Sequence, residues 1–146
     1  MLEPALAVPK PAAFESSKQI RFHHCDPAGI VFYPQYFVLF NETVEDWFNQ
    51  GLGVDFASLH SEHRLGVPLA HVECEFLAPS TIGDLLKFRL SVARMGRSSI
   101  TLAIAGMVGE EPRIRATLVL VLASLETRRA VALPADLRAK IQLFVV

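Results

Sequence analysis

The sequence has little of what several specialised chemistries require. Its 146 residues include only two cysteines, Cys25 and Cys74, far apart in the chain. They make neither a CxxC pair nor a metal-ligand spacing, which excludes a redox dithiol and a cysteine-rich zinc site. Charge of one sign is missing as well. Fourteen basic and 15 acidic residues give a net charge of −1, so no global field draws the chain to nucleic acid or to an anionic membrane surface. Long apolar runs are absent. Stretches such as Ala116–Ala123 fall far short of the roughly 20 residues that cross a bilayer. The first residues carry Glu3, Pro4, Pro9 and Pro11 without a basic start or an unbroken apolar segment. Residues 1–13 are therefore expected to be a flexible tail and not a signal peptide, with cytoplasmic residence and reduced thiols as the corollary.

What is present suffices for one globular unit. Hydrophobic residues make up 51% of the chain and charged residues 20%, a balance that builds a core and excludes wholesale disorder. The length fits a single domain over residues 14–146. A mean hydropathy of +0.34 is high for a chain without a membrane span. It implies apolar surface covered by a second copy.

The pattern along the chain alternates in period. Phe14 to Phe22 reads as a short strand, and Asp26-Pro27-Ala28-Gly29 reads as a turn. From Tyr33 the period is helical: Tyr33, Tyr36, Phe37, Phe40, Val44, Trp47 and Phe48 share a face, and Gly51 and Gly53 terminate the helix. Residues 55–66 are polar and irregular. Period-two alternation then places Ala70, Val72, Cys74, Phe76 and Ala78 on one buried strand face. Three further strands follow, from Leu86, from Ser98 to Val108 and from Arg113 to Leu125. The last is apolar on nearly both faces and is expected at the centre of the sheet. Short connections specify antiparallel neighbours, so an α+β layer pair of sheet and long helix is predicted.

Chemistry concentrates in the segment from His23 to Pro34. Asp26 before Pro27 can simply cap a turn through backbone N–H groups. Adjacent side chains on an extended segment diverge, which argues against one metal ion shared by His23, His24, Cys25 and Asp26 and against Cys25 as an activated nucleophile. A fourth reading takes the geometry whole. A carboxylate precedes a glycine loop that feeds a helix start, where unpaired N–H groups can hold a developing oxyanion. Gly29 permits close approach of a substrate, and Asp26 attacks its carbonyl or activates a water. A thioester suits this arrangement, because its thiolate leaves without a dedicated acid.

Asp26-Pro27-Ala28-Gly29-Ile30-Val31-Phe32-Tyr33-Pro34-Gln35-Tyr36 closely resembles the signature of the 4-hydroxybenzoyl-CoA thioesterase family, in its aspartate-dependent branch. The resemblance implies a hotdog fold, an antiparallel five-stranded sheet wrapped around one long central helix, spanning roughly residues 14 to 140. It implies hydrolysis of an acyl- or aroyl-CoA thioester to free acid and CoA. It makes Asp26 the catalytic carboxylate, the Tyr33 backbone N–H the group that polarises the carbonyl, and Gly29 the residue that opens the loop. Phe32 and Tyr36 would border the substrate. Asn41 stands where the family's 4-hydroxybenzoyl enzyme has an aspartate that reads the phenol, and Val67 where a hydroxyl-bearing residue is expected. Arg94, Arg97 and Ser98 around Gly96, with Arg128 and Arg129, are the candidates for the CoA phosphates. His60, His63 and His71 receive no role. No metal or other cofactor is implied, and no nucleic-acid or membrane partner. The family's habit further implies homodimers joined edge to edge, with interfacial active sites, and usually tetramers. The alternative is a non-catalytic acyl-CoA-binding protein on the same fold.

Overall fold

Alternating and helical periods translate into the following order in the computed structural model, which describes residues 13–146. The elements are β1 (Phe14–Gln19), a 3-10 turn (Phe22–His24), α1 (Tyr33–Asp46) continued by a π-helical turn (Trp47–Leu52), α2 (Phe56–Ser61), β2 (Leu65–Gly66), β3 (Leu69–Phe76), β4 (Leu85–Met95), β5 (Ser99–Val108), β6 (Glu111–Val121), β7 (Ala123–Ser124) and α3 (Ala135–Gln142). The tail expected over residues 1–13 lies outside the described residues, Ala13 apart. Five strands form one antiparallel sheet in the order β1-β4-β5-β6-β3, and β2 pairs with β7 in a small second sheet.

The long helix packs across this sheet, as expected of a hotdog. Leu86, Phe88, Leu90 and Val92 of β4 alternate inward with Ile100, Leu102 and Ile104 of β5, and all are buried. Phe40 of α1 meets Phe88 edge-on, with ring centroids 5.8 Å apart. Each such fully buried side chain contributes about 1.5–3 kcal/mol. Phe88 needs the room left by Gly106, where an added Cβ would stand 3.0 Å from the ring and 2.8 Å from Ile114.

Several expectations need correcting. β1 stops at Gln19: Ile20 still donates its N–H to the Asp84 carbonyl, and the following residues tighten into the 3-10 turn. Tyr33 is exposed and not part of the helix's buried face, whereas Leu39 and Thr43 are buried; the Thr43 hydroxyl donates to the Leu39 carbonyl at 2.8 Å. Gly51 does not end the helix. It lies inside the π-helical turn, where a Cβ would press to 2.7 Å of the Trp47 ring, and the chain leaves at Gly53 in left-handed geometry (φ 68°). β6 is interior but not central, a place taken by β5. β3 is an edge strand, and being flanked on one side only it leaves Ala70 and Phe76 exposed, with Val72 and Cys74 half-buried. Among the described residues, no helix is long and apolar enough to cross a membrane.

Candidate active site

Asp26 sits in a turn closed by its own backbone. Its N–H donates to the Ile30 carbonyl at 3.0 Å, its carbonyl accepts from Gly29 at 2.9 Å, and its Oδ1 accepts from the Ala28 N–H at 2.9 Å. Gly29 adopts φ 83°, a conformation that disfavours any side chain. The capping reading of Asp26 is thus correct for one carboxylate oxygen. The turn is pinned to the sheet by the Val31 N–H on the Ser80 carbonyl and to the 3-10 turn by the Phe32 N–H on the His24 carbonyl, both at 2.9 Å. α1 begins directly afterwards, with Phe32 as an N-cap that offers no side-chain acceptor and Pro34 in the first turn. The N–H of Tyr33, at the start of that turn, has no acceptor among the described residues.

A cleft of about 520 Å³ opens over this junction and is lined by Asp26, Phe32, Tyr33, Tyr36, Phe76 and Ser80 among others. Its walls are aromatic: Phe76 lies 6.5 Å from Tyr33 and 5.9 Å from Tyr36, centroid to centroid. Burial pushes the Tyr36 phenol pKa above its ordinary value, against an opposing hydrogen bond from the Ser80 side chain, so the phenol stays protonated. Ser80 is fully buried, and its Oγ accepts from Arg113 Nη1 at 3.1 Å. The same nitrogen donates to the Pro79 carbonyl and to Asp84 Oδ2, both at 2.9 Å. The Thr81 N–H, then Arg113, hold the Asp84 carboxyl below the usual range. This polar brace fixes one wall of the cleft.

His24 supports the other wall. It is buried, and its Nδ1 accepts from the Arg21 N–H at 2.8 Å. Burial, then the neighbouring His23, push its pKa below the ordinary 6.5. The unfolded chain therefore takes up this proton more readily than the folded one. His24 contributes stability above pH 6.5 that is lost as pH falls from that value through its lower folded-state pKa. The melting temperature is expected to drop between pH 7.5 and 5.5, and to drop less in His24→Asn, whose amide oxygen still accepts from Arg21. Equal slopes in a thermal-melt series would count against this role.

A second, larger cavity of about 780 Å³ lies further along α1, where Phe40, Asn41, His60, Val67, Leu120 and Arg128 contribute to its lining. Arg64 and Arg128, both at its rim, hold left-handed backbone (φ 54° and 62°). Non-glycine residues adopt this conformation rarely and at a cost.

The structure thus divides the residues singled out from the sequence. Asp26, Phe32, Tyr33 and Tyr36 converge on the first cleft, with Gly29 shaping its turn. Asn41, Val67 and Arg128 meet in the second cavity. Arg94 lies at the end of β4 opposite Thr101, and Arg97 and Ser98 belong to the β4–β5 turn, closed by the Gly96 N–H on the Ser99 carbonyl at 2.9 Å. Arg129 follows β7, whose end of the molecule that turn shares: the Leu122 N–H reaches the Ser98 carbonyl at 2.8 Å. None of these four arginines forms an ion pair among the described residues. The basic end and the Asp26 cleft occupy opposite ends of the sheet. Phe76, at the cleft, pairs with Ile114, and Ser99 pairs with Val121. The seven steps from Ile114 to Val121 span roughly 23 Å at about 3.3 Å each. Sequence reasoning did not single out Ser80 and Arg113 and gave His60 no role, because all three lie in segments without a recognisable motif. Among the described residues no group of three His, Cys, Asp or Glu side chains is placed to hold a metal ion.

Comparison with known proteins points one way. The family model described as the thioesterase-like superfamily matches residues 20–141. A 1,4-dihydroxy-2-naphthoyl-CoA hydrolase from Synechococcus elongatus is 25% identical over 133 residues, which cover 90% of this chain and 97% of that protein. The corresponding hydrolase from Acaryochloris marina is 29% identical over 79 residues, 54% of this chain and 57% of that protein. The crystal structure of a 1,4-dihydroxy-2-naphthoyl-CoA thioesterase from Synechocystis superposes with a TM-score of 0.81 at 22% identity, covering 90% of this chain and 96% of that one.

Proposed function

The chain belongs to the thioesterase-like superfamily, and from that premise we propose that it hydrolyses aromatic acyl-CoA thioesters to free acid and CoA with Asp26 as the catalytic carboxylate. One observation carries the proposal: a carboxylate and the unpaired N–H of a helix start face the same aromatic-walled cleft. The Tyr33 N–H, reinforced by the positive end of the α1 dipole, takes the carbonyl oxygen as it becomes an oxyanion. Asp26, held by Ala28 through Oδ1, keeps its second oxygen for the carbonyl carbon or for a water that attacks it. CoA thiolate departs without a general acid, and no metal or redox cofactor takes part. The motif from Asp26 to Tyr36 resembles that of the 4-hydroxybenzoyl-CoA thioesterases. The hydrolases it resembles by sequence are named for a hydroxylated naphthoyl group.

The site is completed by a second copy. β3 leaves one edge unpaired, and around it Leu69, Phe76 and Leu77 are exposed. A bare edge of this kind is a template for another strand. Two copies paired antiparallel about a two-fold axis through β3 exchange ends, so Phe76 of one approaches Leu69 of the other. The Asp26 cleft then adjoins the partner's second cavity and its basic end. That arrangement covers the apolar surface implied by the high hydropathy. It also brings arginines toward the CoA phosphates, which the cleft itself lacks. Pairing of such dimers into a tetramer, and cytoplasmic residence with Cys25 and Cys74 as free thiols, complete the reading.

A panel of CoA thioesters, followed by thiol release from purified protein, tests it. Aroyl-CoA substrates are expected to exceed straight-chain acyl-CoA substrates of similar size by about tenfold or more in kcat/KM. Preference for the aliphatic set would overturn the substrate class. Binding of the thioesters without turnover would identify a carrier and not an enzyme.

A further inference from the structure

The second cavity contains a hydrogen-bond acceptor that the reading above leaves unused. His60 stands near the end of α2, a short helix fixed at its start by Asp55, whose Oδ2 accepts from the Ser58 N–H at 3.2 Å and hydroxyl at 2.6 Å. One turn back, the Phe56 carbonyl lies 2.8 Å from His60 Nδ1. A carbonyl can only accept, so Nδ1 carries the proton, and in the neutral imidazole the lone pair sits on Nε2. The ring is steadied by Phe56, with centroids 4.6 Å apart. It faces a position without a side chain: a Cβ added at Gly66 would stand 3.7 Å from Nε2 and 3.1 Å from Leu125. Nε2 accepts no hydrogen bond among the described residues, although His60 lines the cavity.

The rest of the lining says what such an acceptor is suited to. Phe37, Phe40, Leu118 and Leu120 provide apolar walls for a ring, and Arg64 and Arg128 can only donate. The Nε2 lone pair in this setting pairs with a donor at the edge of a ring. We propose that His60 Nε2 accepts a hydrogen bond from a ring hydroxyl of the acyl group, making His60 the residue that selects hydroxylated aroyl-CoA thioesters over unhydroxylated ones. The inference rests on the thioesterase reading and on the cavity receiving the acyl group. Its effect is on selectivity, since His60 touches no reacting atom.

Matched pairs of thioesters differing by one ring hydroxyl provide the test: 4-hydroxybenzoyl-CoA against benzoyl-CoA, and a hydroxynaphthoyl-CoA against naphthoyl-CoA. The ratio of kcat/KM within each pair is the readout, because a purely structural role would lower both members together. Wild-type protein is expected to favour the hydroxylated member of at least one pair by about tenfold or more. His60→Asn keeps a donor for the Phe56 carbonyl and withdraws the distal acceptor, and is expected to bring that ratio near one. His60→Gln returns an amide oxygen toward the Nε2 position and is expected to restore part of it. Should the Asn variant fail to fold, His60→Phe reports the same loss. A ratio unchanged in the Asn and Phe variants, or absent in the wild type, overturns the selectivity role and leaves the thioesterase reading standing. No thiol release from any thioester removes both.

Discussion

Asp26→Asn is expected to lower kcat for thiol release by about 10³-fold or more, with the fold intact and KM changed little. The reason lies in how the side chain is used. Oδ1 of Asp26 accepts from the Ala28 N–H at 2.9 Å, and an asparagine oxygen can do the same. The turn, the Val31 and Phe32 anchors and the start of α1 therefore survive the substitution. What disappears is the negative charge and basicity of the free oxygen, on which both the nucleophilic and the general-base routes depend. Steady-state kinetics with one aroyl-CoA, beside a far-ultraviolet circular dichroism spectrum, check the expectation. A folded variant within tenfold of wild-type kcat would show that Asp26 is only a turn cap.

Much of this was legible in the sequence, and for identifiable reasons. The motif from Asp26 to Tyr36 is contiguous, so a turn and a helix start suffice to bring its groups together, and Asp26, Phe32, Tyr33 and Tyr36 line one cleft. The helical period from Tyr33 and the alternation in β4 and β5 are local signals that burial confirms at Phe40, Phe88 and Ile104. Less visible was anything set by strand order. β3 alternates like a half-buried strand, yet its place at the sheet edge leaves most of it exposed; β6, apolar on both faces, sits one strand off centre. Gly51 looked like a helix stop because a glycine usually is one, whereas here it makes room for Trp47. Ser80 and Arg113 reach their sites through pairings remote in sequence. Arg113 comes from β6 to brace a wall that begins at Pro79, and His60 is given meaning only by the cavity beside Gly66.

The candidate residues are divided between two ends of the sheet. If the active site combines the Asp26 cleft of one copy with the second cavity of another, two differently damaged copies can repair each other. Asp26→Asn removes the carboxylate. Val67→Trp places an indole in the second cavity, where Val67 is half-buried at the wall, and is expected to lower kcat/KM by about 10²-fold or more by excluding the acyl group. The most direct measurement is thiol release from an equimolar mixture of these variants after subunit exchange. Half the dimers formed at random are mixed, and each holds one undamaged site of two, so about one quarter of wild-type activity is predicted. A mixture no more active than the sum of its two parents, with exchange verified, would contradict a site shared between copies.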